Sequence, residues 1–301
     1  MTPAARIVVL GSLNVDLVTR VPALPRAGET VIGDRLLTFT GGKGANQAVA
    51  AARLGGRVAM VGRVGRDAGG DALLRQLALD GVDSAGVERD GEEPSGAALI
   101  MVGPDGENLI AVAPGANGHV GDADVERALG AAGPDGLLVL QLEIPLAAAA
   151  RAIGAGRRVL LNAAPATADL PPGLLRGLEA LVVNESEAAA LLGGAAAGVE
   201  AARELHAAGA RLAVVTLGAA GAALCDAGGA RLAEPFRVAA VDTTAAGDAF
   251  VGALAVGLAA GRPAAEAVRF ANAAGAAAAT RAGAQESLPR SEDLRRQFGV
   301  A

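Results

Sequence analysis

From Asp122 onward the chain alternates short apolar runs with helix-length segments almost without a break, and this rhythm constrains the fold most. Gly136–Leu142, Arg158–Asn162, Ala180–Val183 and Leu212–Thr216 read as buried strands, rich in Val and Leu. Between them Asp122–Ala132, a segment opened by Pro145, one ending at Leu192, and Glu200–Ala208 read as helices. The chain begins the same way, with strands Arg6–Gly11 and Arg57–Val64 and helices Gly44–Leu54 and Gly69–Leu79; further helices are predicted from Pro263 and Ser291. Strands separated by helices pair through crossovers, side by side and parallel, with helices on both faces. The expected fold class is therefore α/β: a mostly parallel, doubly wound sheet flanked by helices, with residues 1–301 forming a single domain.

Two β-rich blocks, about 15–40 and 96–113, interrupt the alternation. The second carries a hairpin turn at Pro104-Asp105-Gly106-Glu107. They are expected to pair with each other as a small β lid over the site. A small sheet cannot bury both faces alone, so a homodimer through the lid is expected. Ala222–Cys225 and Ala230–Val241 also have β character, the latter as a strand leading into the turn before Ala249.

Composition removes several function classes. A net charge of −6, no Trp, no Tyr and five Phe argue against nucleic-acid binding. Two separated histidines, His119 and His206, with the lone Cys225, cannot build a His/Cys metal site, so any metal must take oxygen ligands. One cysteine fits a reducing compartment. No apolar run is long and clean enough to span a bilayer, and residues 1–5 lack signal-peptide architecture, so cytoplasm is expected.

The polar residues gather where the strands end. Asn14 and Asp16, two apart, share one side of an extended chain and suit a hydroxyl reader or a polar strand face. Glu143, Asn184, Glu187, Asp242 and Asp248 also follow apolar strands, and a row of such residues at the carboxyl edge of a parallel sheet is a site. Asn184 and Glu187 have the spacing of an N-cap pair. Lys43 is the only lysine in an arginine-rich chain, placed in Gly41-Gly42-Lys43-Gly44-Ala45-Asn46-Gln47, where a compact ammonium suits a crowded pocket. In Asp242-Thr243-Thr244-Ala245-Ala246-Gly247-Asp248 the small residues leave helical N–H groups open to an anion. Asp248 beside them is either a general base or simply an acid favouring the helix dipole. The glycine-rich turn is not a P-loop, because no Ser or Thr follows Lys43, and the dinucleotide fingerprint is missing from Gly62-Arg63-Val64-Gly65-Arg66-Asp67.

Together these stretches resemble the ribokinase-like sugar kinases over nearly the whole chain, most specifically in the two segments ending at Gln47 and Asp248. The resemblance implies ATP-dependent phosphorylation of a small sugar, with D-ribose the leading substrate, and Mg²⁺ and an activating K⁺ as cofactors. It implies Asp248 as base with an anion hole at Ala245, Ala246 and Gly247, and a sugar site of Asn14, Asp16, Gly42, Lys43, Asn46 and Glu143. It places nucleotide at Asn184, Thr216, Gly218, Gly221, Gly247 and Asn272, with Glu187 holding Mg²⁺ through water. Asp242, Thr244, Ala278, Arg281, Gly283 and Ser287 match positions around the monovalent cation. Three departures stand out: Ala245 where the wider family often has Gly, the side-chain-poor Ala219-Ala220, and the extra charge of Glu286. Other small sugars, a nucleoside, or a non-catalytic sugar sensor are the competing readings; a sensor would lack Asp248 or the anion turn, and both are present.

Overall fold

The computed structural model describes residues 5–167, 170–171, 173–194 and 196–300. The chain enters at β1 (Ile7–Leu10), crosses to β2 (Asn14–Arg20) and β3 (Leu36–Gly41), then forms α1 (Lys43–Arg53), β4 (Val58–Val64), α2 (Ala68–Leu79) and β5 (Asp83–Arg89). After β6 (Gly96–Val102) and β7 (Asn108–Ala113) come α3 (Asp122–Ala132), β8 (Leu137–Leu140), α4 (Leu146–Gly154) and β9 (Arg158–Asn162). The rest runs β10 (Ala180–Asn184), α5 (Glu185–Leu192), α6 (Gly198–Ala207), β11 (Ala213–Thr216), β12 (Ala222–Asp226) and β13 (Gly229–Ala233). Helices α7 (Ala246–Ala259), α8 (Ala264–Ala279) and α9 (Ser291–Phe298) close the fold.

The large sheet has the order β13-β12-β11-β10-β9-β8-β1-β4-β5. All pairs from β11 to β5 are parallel, while β12 pairs antiparallel with both neighbours. Period-two alternation divides the core. Ile7, Val9, Leu137 and Val139 face α1, α7 and α8 on one side; Val8, Leu10, Leu138 and Leu140 face α3 and α4 on the other. The doubly wound α/β fold is thus as expected.

The small sheet runs β3-β2-β6-β7, with β2 and β6 parallel and the outer pairs antiparallel. Cross-strand partners share a face. Asn14, Asp16, Ala98 and Phe39 therefore lie on the face toward the large domain, and Leu17, Leu36, Leu99 and Leu109 on the outer one, where Leu36, Leu99 and Leu109 are exposed.

Several sequence expectations need correction. No strand ends near Val241: β13 stops at Ala233, and Val241 is held by its N–H to the Ala279 carbonyl, 2.8 Å, at the end of α8. The β-rich block at about 15–40 is not continuous: its second strand begins only at Leu36, because the turns around Gly28 and Asp34 consume the preceding residues. Pro145 caps α4 instead of occupying its first helical position. Strand β5 escaped notice because Asp83, Glu88 and Arg89 break its apolar pattern at the sheet edge.

Two glycines matter for the site. Gly42 caps α1 at φ +87, and a Cβ there would lie 2.7 Å from the Asn14 backbone nitrogen. At Gly252, where α7 crosses α1, a Cβ would lie 2.6 Å from that of Ala50 and 2.9 Å from the Gln47 carbonyl oxygen.

Candidate active site

Strand β1 lies between β4 and β8, so the chain turns opposite ways from its carboxyl end and opens a crevice there. Ser12 Oγ donates to Glu143 Oε2 at 2.5 Å, and the Lys43 N–H donates to the same oxygen at 3.0 Å. The Gly44 N–H reaches Ser12 Oγ, 3.2 Å, and the Ala45 N–H the Ser12 carbonyl, 2.9 Å. The start of α1 is thereby satisfied within the protein, and Glu143 is fixed against it. Ser12 was not anticipated; its signal was a polar residue directly after the strand-ending Gly11.

Asn14 and Asp16 are both buried on one face of β2. Asn117, also unforeseen, donates from Nδ2 to Asn14 Oδ1 at 2.8 Å and to the Leu13 carbonyl at 3.0 Å, while its Oδ1 accepts the Leu13 N–H at 2.9 Å. Asn14 must therefore turn its NH₂ toward the crevice. The Asp16 carboxylate lies against Gly41 and has no hydrogen-bond partner among the described residues. Burial, then the charges of Glu143, Asp248 and Glu286, push its pKa up to about 7. Glu286, whose effect was open from sequence, thus acts on the Asp16 pocket.

Asp248, in the first turn of α7, is 8% exposed. Its Oδ2 accepts from Asn46 Nδ2 at 2.9 Å and its Oδ1 from Gln47 Nε2 at 3.0 Å. Burial raises its pKa against the opposing pull of Lys43 and of these two amides. The Lys43 side chain faces Asp248, Glu143 and Glu187. Burial disfavours its charge, but these carboxylates outweigh it and hold its pKa above the ordinary lysine value. No carboxylate of the described residues lies within 4.0 Å of the ammonium, so it keeps its donors for an incoming group.

The helix starts differ in one decisive respect. Ala245 caps α7 in the left-handed region, φ +58, with no side-chain cap, and the N–H groups of Gly247 and Asp248 find no acceptor among the described residues. Where α1 is closed, α7 is open to an anion.

A cavity of about 210 Å³ extends from Asp248, Gly247, Ala245 and Lys43 past Asn162 to Asn184, Glu187 and Thr216. Asn184 and Glu187 form a reciprocal cap, Glu187 N–H to Asn184 Oδ1 and Asn184 N–H to Glu187 Oε2, both 2.8 Å. The N-cap reading and a metal role are compatible, since Glu187 Oε1 remains unbonded and the residue lines the cavity. Burial raises the Glu187 pKa, opposed by the Asn184 N–H and Lys43 and reinforced by Asp248. Gly218 and Gly221 bound an exposed turn that offers backbone only, through Ala219 and Ala220. Asn272 does not line the cavity: its Nδ2 holds the carbonyls of Ala233 and Glu234, 3.2 and 3.1 Å away.

No three or more His, Cys, Asp or Glu side chains among the described residues are grouped so that they could hold a metal ion. A carboxylate with one free oxygen beside a phosphate-sized space suits Mg²⁺, which keeps most of its waters and takes one or two carboxylates plus phosphate oxygens. Asp242 Oδ1 accepts the Thr244 N–H and Oδ2 the Gly283 N–H, both 2.9 Å, joining the loops before α7 and after α8. Burial works against the charge of Asp242, but these donors hold its pKa below the ordinary carboxylate value. The Arg281 guanidinium, paired with Asp293, is itself cationic and has no acceptor, so only the backbone carbonyl of this residue could face a cation. Ser287 Oγ bonds the Ala284 carbonyl. A carboxylate and main-chain carbonyls are the oxygen donors that a monovalent cation takes. Cys225 is buried in β12; His119 pairs with Asp90 and His206 with the Ala210 carbonyl, outside this site. No helix of the described residues is long and apolar enough to cross a membrane.

Residues 4–291 match the model of the pfkB family of carbohydrate kinases. The chain belongs to that family. It is 39% identical to the ribokinase of Haemophilus influenzae over 293 residues, 95% of each chain. The structure of ribokinase from Thermotoga maritima superimposes with a TM-score of 0.90 at 34% identity, covering 98% of this chain and 99% of that one. The Arabidopsis thaliana ribokinase complexed with ribose and ATP gives 0.86 at 32% identity, over 99% and 100%. Membership makes the chain a phosphotransferase with an alcohol acceptor.

Proposed function

We propose that this protein is a cytoplasmic, ATP-dependent kinase of D-ribose, transferring the γ-phosphoryl group to the terminal hydroxymethyl. The observation that carries this reading is Asp248: a buried carboxylate held by two amides, beside an open helix start and an unpaired ammonium. The relative solved with ribose and ATP supports the choice of substrates. In the reaction Asp248 accepts the hydroxyl proton as the oxygen attacks. The N–H groups of Gly247 and Asp248 and the Lys43 ammonium stabilise charge on the transferring group. Asn14 offers donors and Asp16 an acceptor to the sugar hydroxyls; Gly42, Asn46 and Glu143 complete its pocket. ATP lies along Asn184, Thr216, Gly218 and Gly221. Asn272 supports that side by holding the segment after β13. Glu187, through water, would hold Mg²⁺, which would neutralise charge on the phosphates, and Asp242, Thr244, Ala278, Arg281, Gly283 and Ser287 would surround K⁺, which would order the anion turn.

A coupled ADP-release assay across ribose, deoxyribose, fructose, a keto-deoxy sugar acid and a nucleoside tests the reading. Ribose is expected to give the highest kcat/KM, and turnover of none of them would overturn it. Replacing Na⁺ by K⁺ is expected to raise the rate several-fold; equal rates in K⁺, Na⁺ and neither would remove the cation site while leaving the kinase. The exposed Leu36, Leu99 and Leu109 support a homodimer through the outer face of the β2/β3/β6/β7 lid, which sedimentation of a Leu99→Asp variant checks.

Asp16 yields a pH prediction. Its folded pKa, about 7, lies above the unfolded carboxylate value, so the folded state binds the extra proton. The stability this contributes is present at acid pH and lost as pH rises toward 7. Asp16→Asn should stabilise the protein relative to wild type, and the gain should grow by about 1.4 kcal/mol per pH unit between roughly pH 4 and 7. Urea unfolding at pH 5 and pH 8 measures it; an equal gain at both would contradict the proton uptake.

A further inference from the structure

Gln47 is wholly buried, and its amide orientation is not free. Asn162 Nδ2 donates to the Val182 carbonyl at 3.1 Å, and a backbone carbonyl can only accept. Asn162 Oδ1 is therefore the end turned to Gln47, and it accepts from Gln47 Nε2 at 3.0 Å. The same nitrogen donates to Asp248 Oδ1, and Gln47 Oε1 is occupied by Gln141 Nε2 at 2.6 Å. A chain of amides anchored on a main-chain carbonyl thus leaves Gln47 no way to present an acceptor to Asp248. Asn46 has no such lock: its Oδ1 is buried with no partner, so its amide can turn over.

We propose that Gln47 is a positioning residue for phosphoryl transfer, a fixed donor that holds Asp248 ionised before the sugar hydroxyl gives up its proton and directs that proton to Oδ2. This rests on Asp248 being the base. A carboxylate bonded at Oδ1 by a donor that cannot reverse is disfavoured from carrying a proton there. At Oδ2 the proton finds Asn46, which can rotate to accept it. ATP is the only co-reactant: the hydroxyl O–H bond breaks and the Asp248 O–H bond forms, the freed electron pair makes the new bond to the γ-phosphorus, and the bond from that phosphorus to the ADP oxygen breaks with its electron pair leaving on ADP. The other charged groups facing Asp248 are Lys43 on α1, Glu143 after β8, Glu187 on α5 and Asp16 on β2. All four are unchanged by substitution at Gln47.

The test is titration of ¹³Cγ-aspartate-labelled protein without substrates, Asp248→Asn assigning the resonance, for wild type, Gln47→Met and the isosteric Gln47→Glu. Loss of one donor to a charged acceptor should move the Asp248 midpoint up by about one to two pH units in Gln47→Met. Gln47→Glu should move it further, because a second carboxylate then faces it. The acid limb of the kcat profile should follow, with the alkaline plateau largely retained. An Asp248 midpoint unchanged in both variants would overturn the proposal and reduce Gln47 to a packing residue. A midpoint that moves while the kinetic limb stays put would support the hold of Gln47 on Asp248 and overturn Asp248 as the base, so the two failures are separable.

Discussion

Asp248→Asn is expected to lower kcat by about 10²–10⁴, the usual worth of a placed general base. The substitution keeps the shape of the side chain and one accepting oxygen, so the Asn46 and Gln47 amides, 2.9 and 3.0 Å away, lose little of their packing. It removes the site that takes the proton. Affinity for sugar and ATP should largely survive, because the base acts mainly in the transition state. Stability should rise slightly, since a buried charge near Glu143 and Glu187 is gone. Single-turnover kinetics with binding measured separately is the check. More than about a tenth of wild-type activity remaining would contradict the assignment.

Lys43→Arg should be the next most harmful change, although it preserves charge. The ammonium sits free of any ion pair within 4.0 Å, surrounded by Asp248, Glu143 and Glu187. A guanidinium brings a planar fork that matches carboxylates in two-point contact, and it would be drawn onto one of them rather than left for the incoming group. Losing one charge-assisted hydrogen bond should reduce kcat/KM by about 10- to 100-fold. Thermal stability should stay near wild type, because the backbone bond from Lys43 N to Glu143 does not depend on the side chain. Kinetics with ribose as varied substrate and a thermal melt together decide. Wild-type kcat/KM would place Lys43 outside the pocket.

The alternation that could be read from the chain rests on strands such as β8 and β9, which turn Val139 and Leu160 to one side of the core and Leu140 and Leu161 to the other, so that their apolar character is continuous and hence visible. Polar edge strands hide: β5 is charged at three of its seven positions. The approach to α7 was misread because residues 234–240 carry apolar side chains without a partner strand, and composition alone does not show which segments find a ladder. In the site, Asp248, Lys43, Glu187 and Asn14 were legible because charge or amide stood next to apolar runs. Asn117, Ser12 and the role of Gln47 were not, since each acts through a neighbour brought from far along the chain: 104 residues separate Asn117 from Leu13, and 201 separate Gln47 from Asp248. Asn272, expected at the nucleotide, commits its Nδ2 to the carbonyls of Ala233 and Glu234, a pairing that composition does not show.

The missing side chain at Gly252 sets a length scale for the chemistry. Asn46 and Gln47 ride on α1 and Asp248 on α7, so the buried carboxylate and both of its donors are held together by one helix crossing, four residues along from Asp248. That crossing leaves no room for a single methyl group against Ala50 and the Gln47 carbonyl. The spacing between Asp248 and its two amide donors is therefore set by the two helices in contact, and not by the small sheet that carries Asn14 and Asp16. The calliper formed by α1 and α7 sets the hold on Asp248, and Gly42, which leaves no room for a Cβ against the Asn14 backbone, ties that calliper to the small sheet.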